Sequence, residues 1–295
     1  MSATKYCAFS FRRIGAIATN TLSELAHQKV FYVLLIFGLI LIASSVFMAQ
    51  FSFQQEFQIL KDVSLGAISI FSSILAVIAT ARLISQDVEE RTIYTILAKP
   101  VPRFEYLLGK LAGVILLLAI SIAAMSLMFT AVLYFREQAV LSQTMRELNS
   151  APPEQLNEAL NGVRAHGLNP DVFAGVGIIF LKASSLAALT LLISTFATTN
   201  LFTIAVMVCI YLIGHLQATA REYWLQQPAA SWMVRGFLAV IALVFPDLQA
   251  FNLVDDIVAG VAIPAAIFTK TALLGLFYIV FYTVTAIFVF YGKEL

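Results

Sequence analysis

Asp87, Glu89, Glu90 and Arg91 stand together on a charged stretch between two long apolar runs. Thr92 follows, then an apolar trio at Ile93, Ile96 and Leu97, then Pro100 and Pro102. Carboxylates favour the first turn of a helix, where they face the positive end of its dipole. The spacing of the trio places apolar side chains on one helical face, and the prolines stop the helix. Residues 82–110 therefore read as a short helix with an apolar stripe, held between two spans by a stiff turn. Such an element docks in a partner's groove rather than performing bond chemistry. On charge alone, Glu89, Glu90 and Arg91 also fit a solvated helix start with pairs three or four residues apart. Arg103 and Lys110 fit positive charges that anchor a span at its cytoplasmic edge.

Other residues able to do chemistry are sparse. No Gly-x-x-x-x-Gly-Lys-Ser/Thr phosphate cradle occurs, so no ATPase site and no cofactor is expected in this chain. His27, His166 and His215 are too widely spaced in the pattern to suggest a metal site, and Cys7 and Cys209 suggest neither a disulfide framework nor a cluster. Serines recur inside the apolar runs, as at Ser69, Ser121 and Ser184. An intramembrane hydrolase needs a base beside such a nucleophile, whereas small residues in spans ordinarily permit close helix packing. Lys182 is the one basic residue well inside an apolar run. A charge at a helix centre costs about 2.5–3.5 kcal/mol on insertion scales. A span beginning nearer 178 lets its amine snorkel outward along the four-carbon stem.

The elements that must position these residues are set by composition. Of the 295 residues 60% are hydrophobic and only 12% charged, and mean hydropathy is +0.89, a balance that water-soluble domains of this size do not show. A net charge of +1 leaves no basic excess for nucleic acid. Crossing the hydrocarbon core takes roughly 20 predominantly apolar residues. Spans are expected at 30–50, 63–85, 111–135, 172–197, 199–217 and 268–291, giving an all-α membrane protein with a single transmembrane domain over 1–295 and no cleavable signal peptide. Two further apolar segments, Trp232 to Phe245 and Ile257 to Ile267, are short or broken by Pro246, Gly260 and Pro264, which suits re-entrant or interfacial helices.

Lys and Arg gather beside the spans unequally. Ten of them, from Lys5 to Lys293, fall on one side in short segments, and seven fall on the other in longer loops rich in carboxylates. The positive-inside tendency then places both termini and 86–110 in the cytoplasm, with 136–171 and 218–267 external. Within 1–29, Phe11, Ile14, Ile17, Ala18, Leu22 and Leu25 recur at helical spacing, an amphipathic helix that lies in the inner-leaflet interface or packs against the bundle. In 136–171, Pro152 and Pro153 separate two weak helical patterns.

The stretch from Asp87 to Lys110 resembles the type 2 ABC exporter permeases, particularly the branch containing the permease of nitrous-oxide-reductase maturation. The pattern is acidic-x-Glu-x-x-Thr before an apolar helix, then Leu-x-x-Pro-x-x-Arg-x-x-x-Leu-x-Gly-Lys, carried by Asp87, Glu89, Thr92, Leu97, Pro100, Arg103, Leu107, Gly109 and Lys110. Many members carry Gly where Arg91 stands, although the nearer branch tolerates Arg. Phe245-Pro-Asp-Leu-Gln-Ala-Phe-Asn-Leu is similar, more weakly, to that branch's Leu-Pro-Asn-Leu-x-x-Phe-Asn-Leu. The resemblance implies a six-helix half-transporter in a bacterial inner membrane, with a coupling helix in the 82–110 loop. It implies outer re-entrant helices between the fifth and sixth spans. It further implies a dimer with a second permease copy or homologue, seated on a separate ABC ATPase subunit that binds ATP and magnesium. By the same resemblance Asp87, Glu89, Glu90, Arg91, Thr92, Leu97, Pro100 and Arg103 are coupling residues, with Lys110 a membrane anchor. An ion-coupled secondary transporter is the alternative. Its coupling sites ordinarily show intramembrane ionisable residues or repeated halves, and this chain shows no convincing internal repeat.

Overall fold

In lipid a backbone must satisfy its own hydrogen bonds, so uninterrupted apolar runs become helices. The structure, a computed structural model, describes residues 10–50, 56–89, 102–147, 152–167, 169–197, 199–225, 233, 245–260 and 263–292. Its helices are α1 (Phe11–Ala26), α2 (Lys29–Gln50), α3 (Glu56–Glu89), α4 (Arg103–Glu147), α5 (Pro153–His166), α6 (Asp171–Phe196), α7 (Asn200–Leu225), α8 (Val254–Val258) and α9 (Ala265–Tyr291), with one 3-10 turn at Gln249–Phe251. Six of them, α2, α3, α4, α6, α7 and α9, are long and apolar enough to cross a membrane. The chain is an all-α, multi-pass membrane protein.

The helices coincide with the apolar runs but overrun several of them. α3 begins at Glu56, so Lys61 and Asp62 belong to the helix, and it continues through Glu89. Asp87 and Glu89 therefore end a span helix instead of starting a new one, because no Gly or Pro interrupts the sequence from Ala67 to Glu89. α4 is 45 residues long, roughly 67 Å at the α-helical rise, more than twice the hydrocarbon core. The first weak pattern of 136–171 is thus a continuation of α4, and only the second is a separate helix, α5. Arg136, where the span was expected to end, sits at mid-helix and donates to Glu56 at 2.8 Å, tying α4 to the start of α3. Of the expected coupling loop at 86–110, residues 90–101 lie outside the described residues, as does Trp232 to Phe245 apart from Met233 and Phe245. The other broken segment ends α8 at Val258. It turns through Gly260 at φ 73°, a left-handed conformation natural to Gly, and meets α9 just after Pro264.

α6 is the central post. It packs against α9, α3 and α4, and Ala183, Leu186, Ala187, Ala188 and Leu191 are wholly enclosed. The apolar windows of α3 and α6 are 67% buried, against 22% in α2 and 28% in α7. α2 and α7 therefore turn most of their apolar surface, including Val33, Phe37, Val208 and Leu212, toward lipid. Most span hydroxyls turn back on their own helices: Thr80 donates to the Ala76 carbonyl at 2.7 Å, Ser121 to Leu117 at 2.7 Å and Thr190 to Leu186 at 2.7 Å. These serve close packing.

Candidate functional site

The residues that follow the 90–102 link fasten three elements together. Glu105, in the first turn of α4, has a side chain with no exposed surface. It accepts from Arg13 Nε at 2.6 Å, from Arg13 Nη2 at 2.9 Å and from the Ser10 backbone N–H at 3.0 Å. A forked guanidinium–carboxylate pair of this type fixes orientation as well as position. One and two turns further on, α1 crosses α4 over glycine. A Cβ at Gly109 would lie 2.7 Å from that of Ile17, and one at Gly113 would lie 2.7 Å from Thr21 Cβ and 2.8 Å from the Ala18 carbonyl oxygen. Gly109 and Gly113 form a G-x-x-x-G pair that lets two backbones approach closely. The amphipathic stripe of α1 is thus spent on the bundle through Ala18, Thr21 and Leu25, while Phe11 at its start stays exposed.

Arg103, expected in coupling, reaches across to the end of α9. Its Nη1 donates to the carbonyls of Phe290 and Tyr291, both at 3.3 Å, satisfying acceptors that a helix C-terminus leaves open. Tyr106 stacks on Phe290 at 6.2 Å between centroids, and Leu107 is enclosed. Lys110, expected as a membrane anchor, has a side chain only 5% exposed. Its amine stands 3.8 Å from Glu24 and 5.8 Å from the Tyr106 ring centroid, so its partners include α1 and α4. Of the remaining expected coupling residues, Asp87 and Glu89 lie at the end of α3, and Glu90, Arg91, Thr92, Leu97 and Pro100 lie outside the described residues. Glu105 and Gly113 were not singled out from the sequence. The G-x-x-x-G spacing at 109–113 was a readable signal, whereas the partner of Glu105 lies 92 residues away.

A second polar constellation sits toward the opposite end of the bundle. Lys182, in the twelfth position of α6, does not reach out past the end of its helix. It is 5% exposed, donates to Ser69 Oγ of α3 at 3.2 Å and lies 5.7 Å from the Tyr211 ring centroid of α7. The amine borders a cavity of about 210 Å³ whose lining includes Asp62, Ser69, His215, Asn252 and Asp255. In place of the expected snorkel, the amine turns toward Ser69 and Tyr211 beside a polar cavity that is open at Asp62 and Asp255. The segment at 245–255 supplies the wall. Leu248 N–H donates to the Gly214 carbonyl at 3.2 Å, and Asp247 Oδ1 accepts from Ala250 N–H at 3.2 Å. Leu248 and Phe251 insert into the core while Gln249 and Asn252 face the cavity. The 245–253 motif therefore builds a plug between helices. His215 Nδ1 lies 3.0 Å from the Tyr211 carbonyl, which can only accept, so that nitrogen carries a proton and a neutral ring leaves Nε2 as an acceptor. Among the described residues no three His, Cys, Asp or Glu side chains converge in a way that could hold a metal ion.

No family model matches the chain, and no curated protein matches it.

Proposed function

We propose that this chain is the membrane-embedded permease subunit of an ATP-driven ABC exporter, working as a pair of permeases with a separate ATPase chain in a bacterial inner membrane, both termini cytoplasmic. The observation that supports this reading is how the described residues on either side of 90–101 are fastened into the bundle. That link joins α3, deep in the bundle, to the start of α4, which is fastened to α1 by Arg13 and Glu105 and to the end of α9 by Arg103. A load applied to that link moves four helices together. ATP binding in the partner shifts the equilibrium between two packings of the bundle only if the partner contacts the link differently in each. The chain itself supplies the lever and the wall of the path, and the ATPase supplies ATP and magnesium chemistry.

Glu89→Ala/Glu90→Ala tests the docking role. In the complex extracted from membranes, this variant is expected to retain about tenfold less ATPase subunit, the scale of losing a charged contact at an interface, with membrane insertion unchanged. Undiminished retention contradicts the assignment.

One observation favours the alternative of an ion-coupled secondary transporter: Lys182 is an intramembrane cation beside a cavity that also contains Asp62 and Asp255.

A further inference from the structure

The Lys182 cavity and the groove below it are arranged in a linear order along α3. At the mouth stand Asp62 and Asp255, both exposed, the latter accepting from Asn252 Nδ2 at 3.2 Å. About 10 Å deeper along the helix, Ser69 holds the amine of Lys182. An ammonium has three donors, and Ser69 and the Tyr211 ring leave Lys182 with room for a further acceptor. Among the described residues no carboxylate lies within ion-pair distance of it. Burying such a cation is costly unless an anion meets it. Beyond Ser69 the lining changes character. Ile70 and Tyr211 border both the polar cavity and an apolar groove of about 400 Å³ between α3 and α7, which continues past Ile74 and Val77 to Ile78 and is open on its lipid side.

We infer that this is a binding site for a zwitterionic amphiphile whose order of groups matches the order of the site: a primary ammonium between Asp62 and Asp255, a phosphate on Lys182, and an acyl chain in the α3/α7 groove. An aminophospholipid has that sequence of groups. A phosphate completes the coordination of the buried ammonium with charge-assisted hydrogen bonds, and a primary ammonium supplies donors that carboxylates accept. The site needs no ATPase partner, so it stands or falls separately from the transport reading.

The test uses the full chain, purified and delipidated in mild detergent, with lipid retention read by native mass spectrometry. Phosphatidylethanolamine is expected to be held about tenfold more tightly than phosphatidylglycerol, the scale of one charge-assisted contact, and more tightly than phosphatidylcholine, whose methylated ammonium donates no hydrogen bond. Lys182→Met is expected to lose most retention of both lipids, Lys182→Arg to keep it, and Asp255→Asn to narrow the gap between phosphatidylethanolamine and phosphatidylglycerol. Ile74→Trp, which fills the groove without touching the polar cavity, is expected to weaken retention with the oligomeric state unchanged. Equal binding of the two lipids by the unaltered chain overturns the inference. Full retention by a folded Lys182→Met chain does the same. Competition by O-phosphoethanolamine at the concentration effective for the lipid assigns the site to a free head and removes the groove from it. An Ile74→Trp chain that loses a dimer while keeping the lipid assigns the groove to a second copy of this chain.

Discussion

Arg13→Met is expected to detach α1 from the bundle and to cost more than removing its partner. Without the guanidinium, the Glu105 carboxylate stays enclosed, met among the described residues by the Ser10 N–H. Without the carboxylate, the Arg13 guanidinium still reaches water along a side chain that is already 31% exposed. Breaking an ion pair deep in a protein costs about 3–5 kcal/mol. This pair sits at the rim of the bundle within a side chain's length of solvent, so a loss of about 2 kcal/mol is expected for Arg13→Met and about half that for Glu105→Leu. Hydrogen exchange over residues 11–26 reports both. The double variant is expected to recover much of the Arg13→Met loss because no charge is left behind, a coupling that a double-mutant cycle measures. Additive losses contradict the pairing.

Gly113→Ala is expected to be the more disruptive of two Gly→Ala changes at this helix pair, against helix propensity. In an open helix the change gains about 1 kcal/mol. Gly15 in α1 has nothing within 4 Å of a new Cβ, and Gly15→Ala is expected to show that gain. At Gly113 the new atom meets the Ala18 carbonyl at 2.8 Å, and backbone cannot rotate away as a side chain does. Separating α1 from α4 enough to admit it is expected to cost about 1–3 kcal/mol, which outweighs the propensity term. Thermal unfolding of the two variants checks the opposite signs. Stabilisation by Gly113→Ala contradicts the close crossing.

Much of the fold was legible in the sequence because the bilayer enforces a single rule. Twenty apolar residues without an interior charge form a span, and the runs at 30–50 and 268–291 needed nothing more. The ends of the helices were less legible. Polarity begins at Arg136, yet the helix continues because polarity does not break a helix, and Arg136 finds Glu56 across the bundle. The same reason carries α3 through Asp87 to Glu89. The candidate sites were legible in proportion to how local their contacts are. Gly109 and Gly113 declare their spacing in five residues of sequence. The partners of Lys182 come from α3 and α7 and its cavity is walled by the 245–255 segment, and no local pattern brings Ser69, Tyr211 and Asp255 together. Arg103 and Lys110 show a further limit. A basic residue beside a span reads as a membrane anchor, and no sequence pattern shows that the first also caps the end of α9 and the second turns toward Glu24 and Tyr106.

The proposed function is tested most directly by purifying the tagged chain from its own membranes in mild detergent, identifying the proteins that accompany it and assaying ATP hydrolysis. The account predicts a separate chain with a phosphate-cradling loop, in stoichiometric amount, whose hydrolysis of ATP accompanies the complex. A folded, intact preparation that carries no such chain and hydrolyses no ATP contradicts it and turns the reading to a gradient-driven transporter.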